Sequence, residues 1–460
     1  MLTGGSIMNL TYGISDKPKF GQLIVFALQQ LLAILAATIA VPAIVGNGMS
    51  QSAALFGAGV GTIVYLLFTK FKSPVFVGSS FAFIGSMTAA FAGGVSMSVG
   101  YLGLIIGAVM AGLVYVVLAI IVKFAGVGWI SKLMPAVVIG PTVSIIGLSL
   151  AGNAVSDALD ATYDMNLHST VCLICALVTL FAVVISSVYG KKMAKLIPFI
   201  IGIACGYVVA AIFTLIGTAT GNEQLLIIDF SQFSNMQWYP DFTFIKAFSG
   251  SYDFGEVGSI GAYLGTIAVA YVPVALVVFA EHIADHKNLS SIIGQDLLED
   301  PGLSRTLLGD GVGSMAGAIF GGCPNTTYGE SVGCVAITGN ASVITIFTTA
   351  IIAMLISFFA PFVTLLATIP SCVMGGVCIT LYGFIAVSGL KMIQSVDFGE
   401  NKNVFTVSVI LICGIGGMEL TFGSVTITSI ACALILGIIV NLVLSRKSEK
   451  TDKSEEKTDK

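Results

Sequence analysis

Charge is what this sequence has least of. Only 10% of its 460 residues are Asp, Glu, Lys or Arg, and histidine occurs three times. A soluble domain is about a quarter charged, so this chain cannot cover a water-exposed surface in the ordinary way. The scarcity also weighs against a membrane-embedded hydrolase, which needs a nucleophile with a base or a cluster of metal ligands. The nine cysteines (172, 175, 205, 323, 334, 372, 378, 413 and 432) all lie in or beside apolar segments and read as small buried hydrophobes. Cys172 and Cys175 form a C-x-x-C pair, but inside an expected span, so no metal or redox role is read from it.

What fills the sequence instead is apolar: 56% of residues are hydrophobic and the mean hydropathy is +0.99. Runs of about 20 apolar residues, the length that crosses a bilayer as helix, recur along the chain. The first follows "SDKPKF" without a small-residue cleavage site and reads as a retained span. Fourteen crossings are expected, near 20–41, 52–69, 75–91, 99–122, 133–151, 169–188, 196–219, 258–283, 306–321, 325–340, 343–367, 371–390, 403–418 and 424–444. Cytoplasmic loops are enriched in Lys and Arg. With the N-terminus inside, 19 of the 20 Lys and Arg fall on inner segments and only Lys246 falls outside. The outer connections carry Asp157, Asp160 and Asp164, then Glu223, Asp229, Asp241, Asp253 and Glu256. Both termini are therefore expected in the cytoplasm of a cell-membrane protein. The end from Ser445, "SRKSEKTDKSEEKTDK", is low in complexity and reads as disordered.

Matching elements recur seven segments apart. Segment 5 begins "PAVVIG" at Pro135 and segment 12 "PSCVMG" at Pro370; segment 3 holds "SPVFVGSSFAFIG" and segment 10 "CPNTTYGESVG". An odd number of spans per copy forces the second copy upside down, and paired Gly/Pro-interrupted segments in inverted repeats point to a transporter's midplane site. The Gly, Ser, Thr and aromatic mix of "VGSSFAF" and "NTTYGES" favours extended backbone, tolerated at membrane depth only where protein protects it or a cavity adjoins it. A half-helix after each extended piece would aim its unpaired N–H groups into that cavity.

Acceptors come from carboxylates. From Gly311 to Leu390 there is no Asp, Lys, Arg or His, and Glu330 is the sole acid. A titratable group in a span is costly and normally functional, which makes Glu330 a site candidate. Glu281 follows an uncharged run from Val257 to Ala280 and either marks the cytoplasmic end of segment 8 or faces the cavity. Glu281 and Asp285 are spaced i, i+4 on one helix face, with Asn288 near the same stripe. His286, beside Lys287, reads as a solvated or capping group; His282 and His168 carry no stronger signal, and Glu419 reads as part of an outer turn.

Residues 280–338, "AEHIADHKNLSSIIGQDLLEDPGLSRTLLGDGVGSMAGAIFGGCPNTTYGESVGCVAIT", resemble the uracil branch of the nucleobase-ascorbate transporter family, also called nucleobase:cation symporter-2. "QQLLAILAATIAVP", "VGSSFAFIG" and "IPSCVMGG" fit the same family, so the similarity spans nearly all of residues 20–445. The resemblance implies an all-α polytopic membrane protein of fourteen transmembrane segments in a 7+7 inverted repeat, with short strands in segments 3 and 10. It divides the chain into a core domain (20–123 and 258–368) and a gate domain (124–220 and 369–445), with an extracellular link (221–257) and a disordered cytoplasmic tail (446–460). Carried over by position, Glu281 and Glu330 match the substrate-binding glutamates, Phe81 and Gly329 the backbone donors, and Tyr328 and Ala37 positions that contact or line the pocket. Where some members have a histidine tied to proton coupling, this chain has Asp285. Asp285, Glu330 and Glu281 are therefore the candidates for proton coupling, since a carboxylate withdrawn from water responds in its protonation to changes around it.

Uracil, flat and neutral with two N–H donors and two carbonyls, complements two carboxylates and backbone N–H groups. The expected function is thus a proton-coupled uracil importer working by alternating access. It is not an enzyme, and its cofactor list is empty apart from the coupling proton. Its expected partners are uracil and membrane lipid, with no nucleic acid; a homodimer through the gate domains is implied by the resemblance alone. A xanthine or purine symporter of the same family, and an uncoupled nucleobase facilitator, stand as alternatives.

Overall fold

The computed structural model describes residues 10–126, 129, 135–160, 165–191, 193–394, 396–422 and 425–458. Lys132, Asp164, Lys192 and Lys460 of the charge pattern lie outside them. Eight helices among the described residues are long and apolar enough to cross a membrane, nine if one bent pair counts as a single span. They are α1 (Phe20–Val45), α2 (Gln51–Phe68), α4 (Met97–Ala125), α5 continued by α6 (Ala136–Ser149 and Ala151–Ala158), α7 (Leu167–Tyr189), α8 (Pro198–Thr220), α9 (Ile260–Ile293) and α14 (Ser371–Ile393). The chain is a multi-pass membrane protein.

The other expected segments are short, broken or rich in glycine. Segment 3 is the strand β1 (Val77–Ser79) followed by a 3-10 turn and α3 (Ile84–Ala90); segment 10 is β2 (Asn325–Thr327) followed by α11 (Gly329–Thr338). The extended pieces are thus strands, and they pair with each other, antiparallel, in the register Val77↔Thr327, Gly78↔Thr326, Ser79↔Asn325. The second edge of β1 is satisfied by Thr62 of α2, whose hydroxyl donates to the Val77 carbonyl (3.0 Å) and accepts from the Val77 N–H (3.1 Å). Every polar backbone group of so short a ribbon needs such a partner away from water.

Five boundaries differ from expectation. Segment 8 was expected to end at residue 283, yet α9 runs on to Ile293, because its acids face protein and a cavity in place of bulk water. Segment 5 breaks at Leu150 between α5 and α6. Segment 11 is two helices, α12 (Val343–Ile356) and α13 (Ala360–Ala367), bent by 83°. Pro361 can begin a helix but lacks the N–H to continue one. Where turn and helix were expected, β3 (Leu420–Phe422) pairs antiparallel with β4 (Val425–Ile427). The last helix, α16 (Ser429–Thr458), continues past Ser445 as far as Thr458, over residues expected to be disordered. Adding residues to an existing helix needs no new nucleus, and Lys and Glu are good helix formers.

Packing falls into two groups. α10 (Leu303–Gly321) lies against α2 and α4, α12 against α1 and α2, and α9 against α4. Elsewhere α14 packs on α5 and α7, α8 on α7, and α15 (Asn401–Ile415) on α16. The α2–α10 contact is backbone to backbone: a Cβ at Gly57 would stand 2.4 Å from the Gly317 carbonyl oxygen, and one at Gly61 would stand 2.8 Å from that of Gly313. Small residues at four-residue spacing are how membrane helices approach this closely. Pro135 and Pro370, which begin the two similar sequence motifs, occupy the same place, the N-cap of α5 and of α14.

Candidate substrate site

β1 and β2 deliver the starts of two helices to one place. Phe81, the first residue of the 3-10 turn that follows β1, and Gly329, the first residue of α11, both line a cavity of about 390 Å³. Its volume is in the range of small-molecule sites. Glu330, in the first turn of α11, and Glu281 and Asp285, from the middle of α9, line the same cavity. Three carboxylates thus meet the N-terminal ends of two helices, where N–H groups lack intrahelical acceptors. The opposite wall is apolar: Val143 and Ile146 of α5, with Phe384, Ile385 and Met392 of α14.

The acids are held by neighbours that sequence reasoning passed over. The Thr327 hydroxyl donates to Asp285 Oδ2 at 2.9 Å, linking α9 to the strand. The first turn of α11 is anchored through Ser331, whose hydroxyl accepts from the Phe76 N–H (3.0 Å) and from Gln30 Nε2 of α1. Asn325 at the start of β2 donates through Nδ2 to the Gly57 carbonyl (3.0 Å), and its N–H donates to the Ser314 hydroxyl (3.0 Å). β2 is therefore pinned to both helices of the glycine-packed pair.

Tyr328 is buried, and its hydroxyl donates to the Ser79 carbonyl at 2.9 Å. Its ring crosses Gly78, where a Cβ would come within 2.6 Å of two ring carbons. Gly78→Ala should consequently lower stability by about 1–3 kcal/mol, the usual cost of overpacking. Thermal unfolding in detergent measures this, with Gly85→Ala, whose Cβ meets nothing within 4 Å, expected to melt as wild type. An unchanged melting temperature for Gly78→Ala would remove the ring's close approach as a constraint. Phe81 stands edge-on to Tyr382, with ring centroids 6.2 Å apart.

Three placements differ from expectation. Ala37 is fully buried in the same apolar cluster as Tyr328 and does not line the cavity; Ala33, one turn earlier on α1, does. Asn288 stays exposed, because the cavity-facing stripe of α9 ends with Asp285. His286 is wholly buried, not solvated: Nδ1 donates to the His282 carbonyl (2.8 Å), which leaves Nε2 to accept from the Tyr65 hydroxyl at 2.7 Å. His282, stacked on it with centroids 4.1 Å apart, is also wholly buried, with Nδ1 2.7 Å from Asp310 Oδ2 and Nε2 3.0 Å from the Thr306 hydroxyl. Asp310 lies inside an expected span and carries the same sequence signal as Glu330. Lys195 at the cavity's rim had no such signal. Glu419 lines a second cavity of about 510 Å³, which shares Phe81 and Ala82 with the first.

Comparison with known proteins agrees with this architecture. Residues 21–422 match the model of the Permease family. The uracil permease of Bacillus caldolyticus is 41% identical over 448 residues, covering 95% of this chain and 96% of that one, and the uracil permease of Bacillus subtilis (strain 168) is 38% identical over 96% and 98%. Among solved structures, the transmembrane domain of the cyanobacterial bicarbonate transporter BicA superposes with a TM-score of 0.60 at 15% identity, over 94% of this chain and 99% of that one. The murine anion transporter Slc26a9 in its inward-facing state gives 0.64 at 12%, over 94% and 69%. At such identities the likeness is one of fold. The family match and the near-full-length relatives together place the chain: it belongs to the Permease family, a family of transporters and not of enzymes.

Proposed function

We propose that the protein is a proton-coupled uracil importer of the cell membrane, with both termini cytoplasmic, working by alternating access. The observation that carries this reading is the meeting of Glu281, Asp285 and Glu330 with Phe81 and Gly329 around one cavity. Two glutamates accept the two N–H groups of the ring, and the backbone N–H groups at Phe81 and Gly329 donate to its carbonyls. The near-full-length relatives named uracil permease support the choice of substrate.

The two packing groups support a core (20–123 and 258–368) that moves against a gate (124–220 and 369–445), within a scheme of fourteen segments in two inverted sets. The matched N-cap prolines and the paired strands favour that scheme. Two cavities divided by the Phe81–Ala82 layer suit a site opened to one side at a time. A homodimer through the gate helices completes the proposal.

Labelled uracil uptake into liposomes, with xanthine, uric acid, thymine and cytosine as competitors, tests the substrate. Tyr328 and Phe81 bound the slot, so the second ring of xanthine should cost about 10-fold or more in apparent affinity, as one misfitting group usually does. Equal displacement by xanthine would move the reading to a purine symporter. Uptake that never exceeds the outside concentration under an inward proton gradient would make the protein a facilitator.

A further inference from the structure

Away from the cavity, three side chains of different ligand chemistry meet where α7 begins. Asp160 follows α6, while His168 and Cys172 are spaced i, i+4 and share a face of α7. His168 Nε2 lies 3.1 Å from Asp160 Oδ2 and 3.6 Å from Cys172 Sγ, and one ligand atom from each of the three residues lies within 4.8 Å of the others. The C-x-x-C pair that carried no signal in the sequence thus has one member beside a histidine and a carboxylate.

The second nitrogen of His168 decides what this arrangement means. Nδ1 is 3.0 Å from the Gln224 carbonyl oxygen, which can only accept, so Nδ1 carries a proton. In neutral imidazole Nε2 then presents a lone pair, directed at a carboxylate oxygen and a sulfur. Once the thiol has given up its proton, as a metal-bound cysteine does, the carboxylate oxygen, the imidazole nitrogen and the sulfur are three donor atoms converging where one cation bridges them. The Asp160 carboxylate is itself oriented, accepting from the Ser371 hydroxyl at Oδ1 (3.0 Å). A carbonyl behind the histidine and a hydroxyl behind the carboxylate are the outer partners that metal ligands usually have.

Distances and access fit a particular class of ion. Tetrahedral Zn²⁺, with bonds of about 2.0–2.1 Å to nitrogen or oxygen and about 2.3 Å to sulfur, sets N···O near roughly 3.3 Å and N···S near roughly 3.6 Å. The observed separations are 3.1 and 3.6 Å. Cys172 is buried, whereas the His168 and Asp160 side chains are 29% and 45% exposed, which leaves an entry path and room for water as a fourth ligand. Hard cations such as Mg²⁺ and Ca²⁺ prefer all-oxygen sets. We propose that Asp160, His168 and Cys172 form a binding site for a borderline-soft divalent cation of the Zn²⁺ class. The ion ties the end of α6 to the start of α7 and, through Ser371, to the start of α14. This is the end of α7 remote from Lys191 and Lys195.

The test uses the full-length protein, purified in detergent with its thiols kept reduced, stripped by a chelator and titrated with Co²⁺ and then Zn²⁺. Wild type should bind one equivalent of Co²⁺ with a sulfur-to-cobalt charge-transfer band that Zn²⁺ displaces. Cys172→Ser should lose that band, His168→Gln should weaken binding by at least about 10-fold, and Ser371→Ala by about 10- to 100-fold. Cys432→Ser, remote from the site, should titrate as wild type. Gel filtration identifies any variant that fails to fold, and His168→Gln, at a partly exposed position, keeps the test valid if Cys172→Ser does. Absence of saturable binding by folded wild type would leave only an imidazolium–carboxylate pair and overturn the proposal. So would undiminished binding in both His168→Gln and Cys172→Ser, or a Cys172–Cys372 disulfide that persists under reductant, since the Cys372 thiol touches Cys172.

Discussion

Glu330→Ala and Glu281→Ala are each expected to weaken uracil binding by about 10- to 150-fold while leaving the protein folded and in the membrane. Truncation leaves an N–H of the bound ring without its charged acceptor, and a hydrogen bond to a charged group is worth about 1.5–3 kcal/mol. Other residues anchor the backbone around both side chains. The first turn of α11 is held by Ser331, through Phe76 and Gln30, and β2 by Asn325, so the Glu330 carboxylate is free to serve the cavity. Glu281 sits mid-helix, with α9 continuing to Ile293 beyond it. Equilibrium binding of labelled uracil to detergent-purified protein measures the loss, and thermal unfolding checks the fold. Either variant binding near the wild-type affinity takes that residue out of the site.

The second large effect is a separation of exchange from accumulation. Asp285→Asn keeps size and can still accept the Thr327 hydroxyl bond through its amide oxygen, so the site should hold its shape. What it loses is titration. In liposomes, wild-type protein should concentrate uracil when an inward proton gradient is imposed, and a protonophore should collapse that accumulation. Asp285→Asn should exchange labelled for unlabelled uracil yet fail to concentrate it. The acids available for coupling at the cavity are Glu281, Asp285 and Glu330, while Asp310 behind them is already engaged with His282. Accumulation by Asp285→Asn equal to that of wild type would pass the coupling role to Glu330.

Much of the site was legible because charge is so rare here that each buried acid stands out. Glu330 is alone among the residues from Gly311 to Leu390, and no packing reason places a carboxylate there. Asp285 was visible through its i, i+4 spacing from Glu281. Asp310, inside an expected span, carries the same signal, but the histidines do not, since His286 beside Lys287 has the local look of a helix end. Its partners Tyr65 and Ser73 are more than 200 positions away in sequence, and nothing local announces such a contact. The residue under Ala37 was misplaced for a different reason. A helix turn separates a position that touches the cavity from one that packs behind it, and only the rotation of α1 tells Ala33 from Ala37.

The sequence by itself determined the solvent and the broad plan. A chain that is 56% hydrophobic and 10% charged must put most of its surface into lipid, and its runs must be helices wherever no other backbone partner exists. It also determined where helix fails, because Gly, Ser and Thr beside proline in the third and tenth segments leave extended backbone as the local preference. Only the tertiary structure decided what that extended backbone pairs with, since a three-residue strand has no stability without a partner, and β1 and β2 are about 250 residues apart. The same holds for the Asp160, His168 and Cys172 cluster and for the depth to which α9 carries Glu281 and Asp285. Distances between side chains on different helices depend on how closely the helix backbones pack, and that packing is set by glycine stripes whose partners no local pattern names.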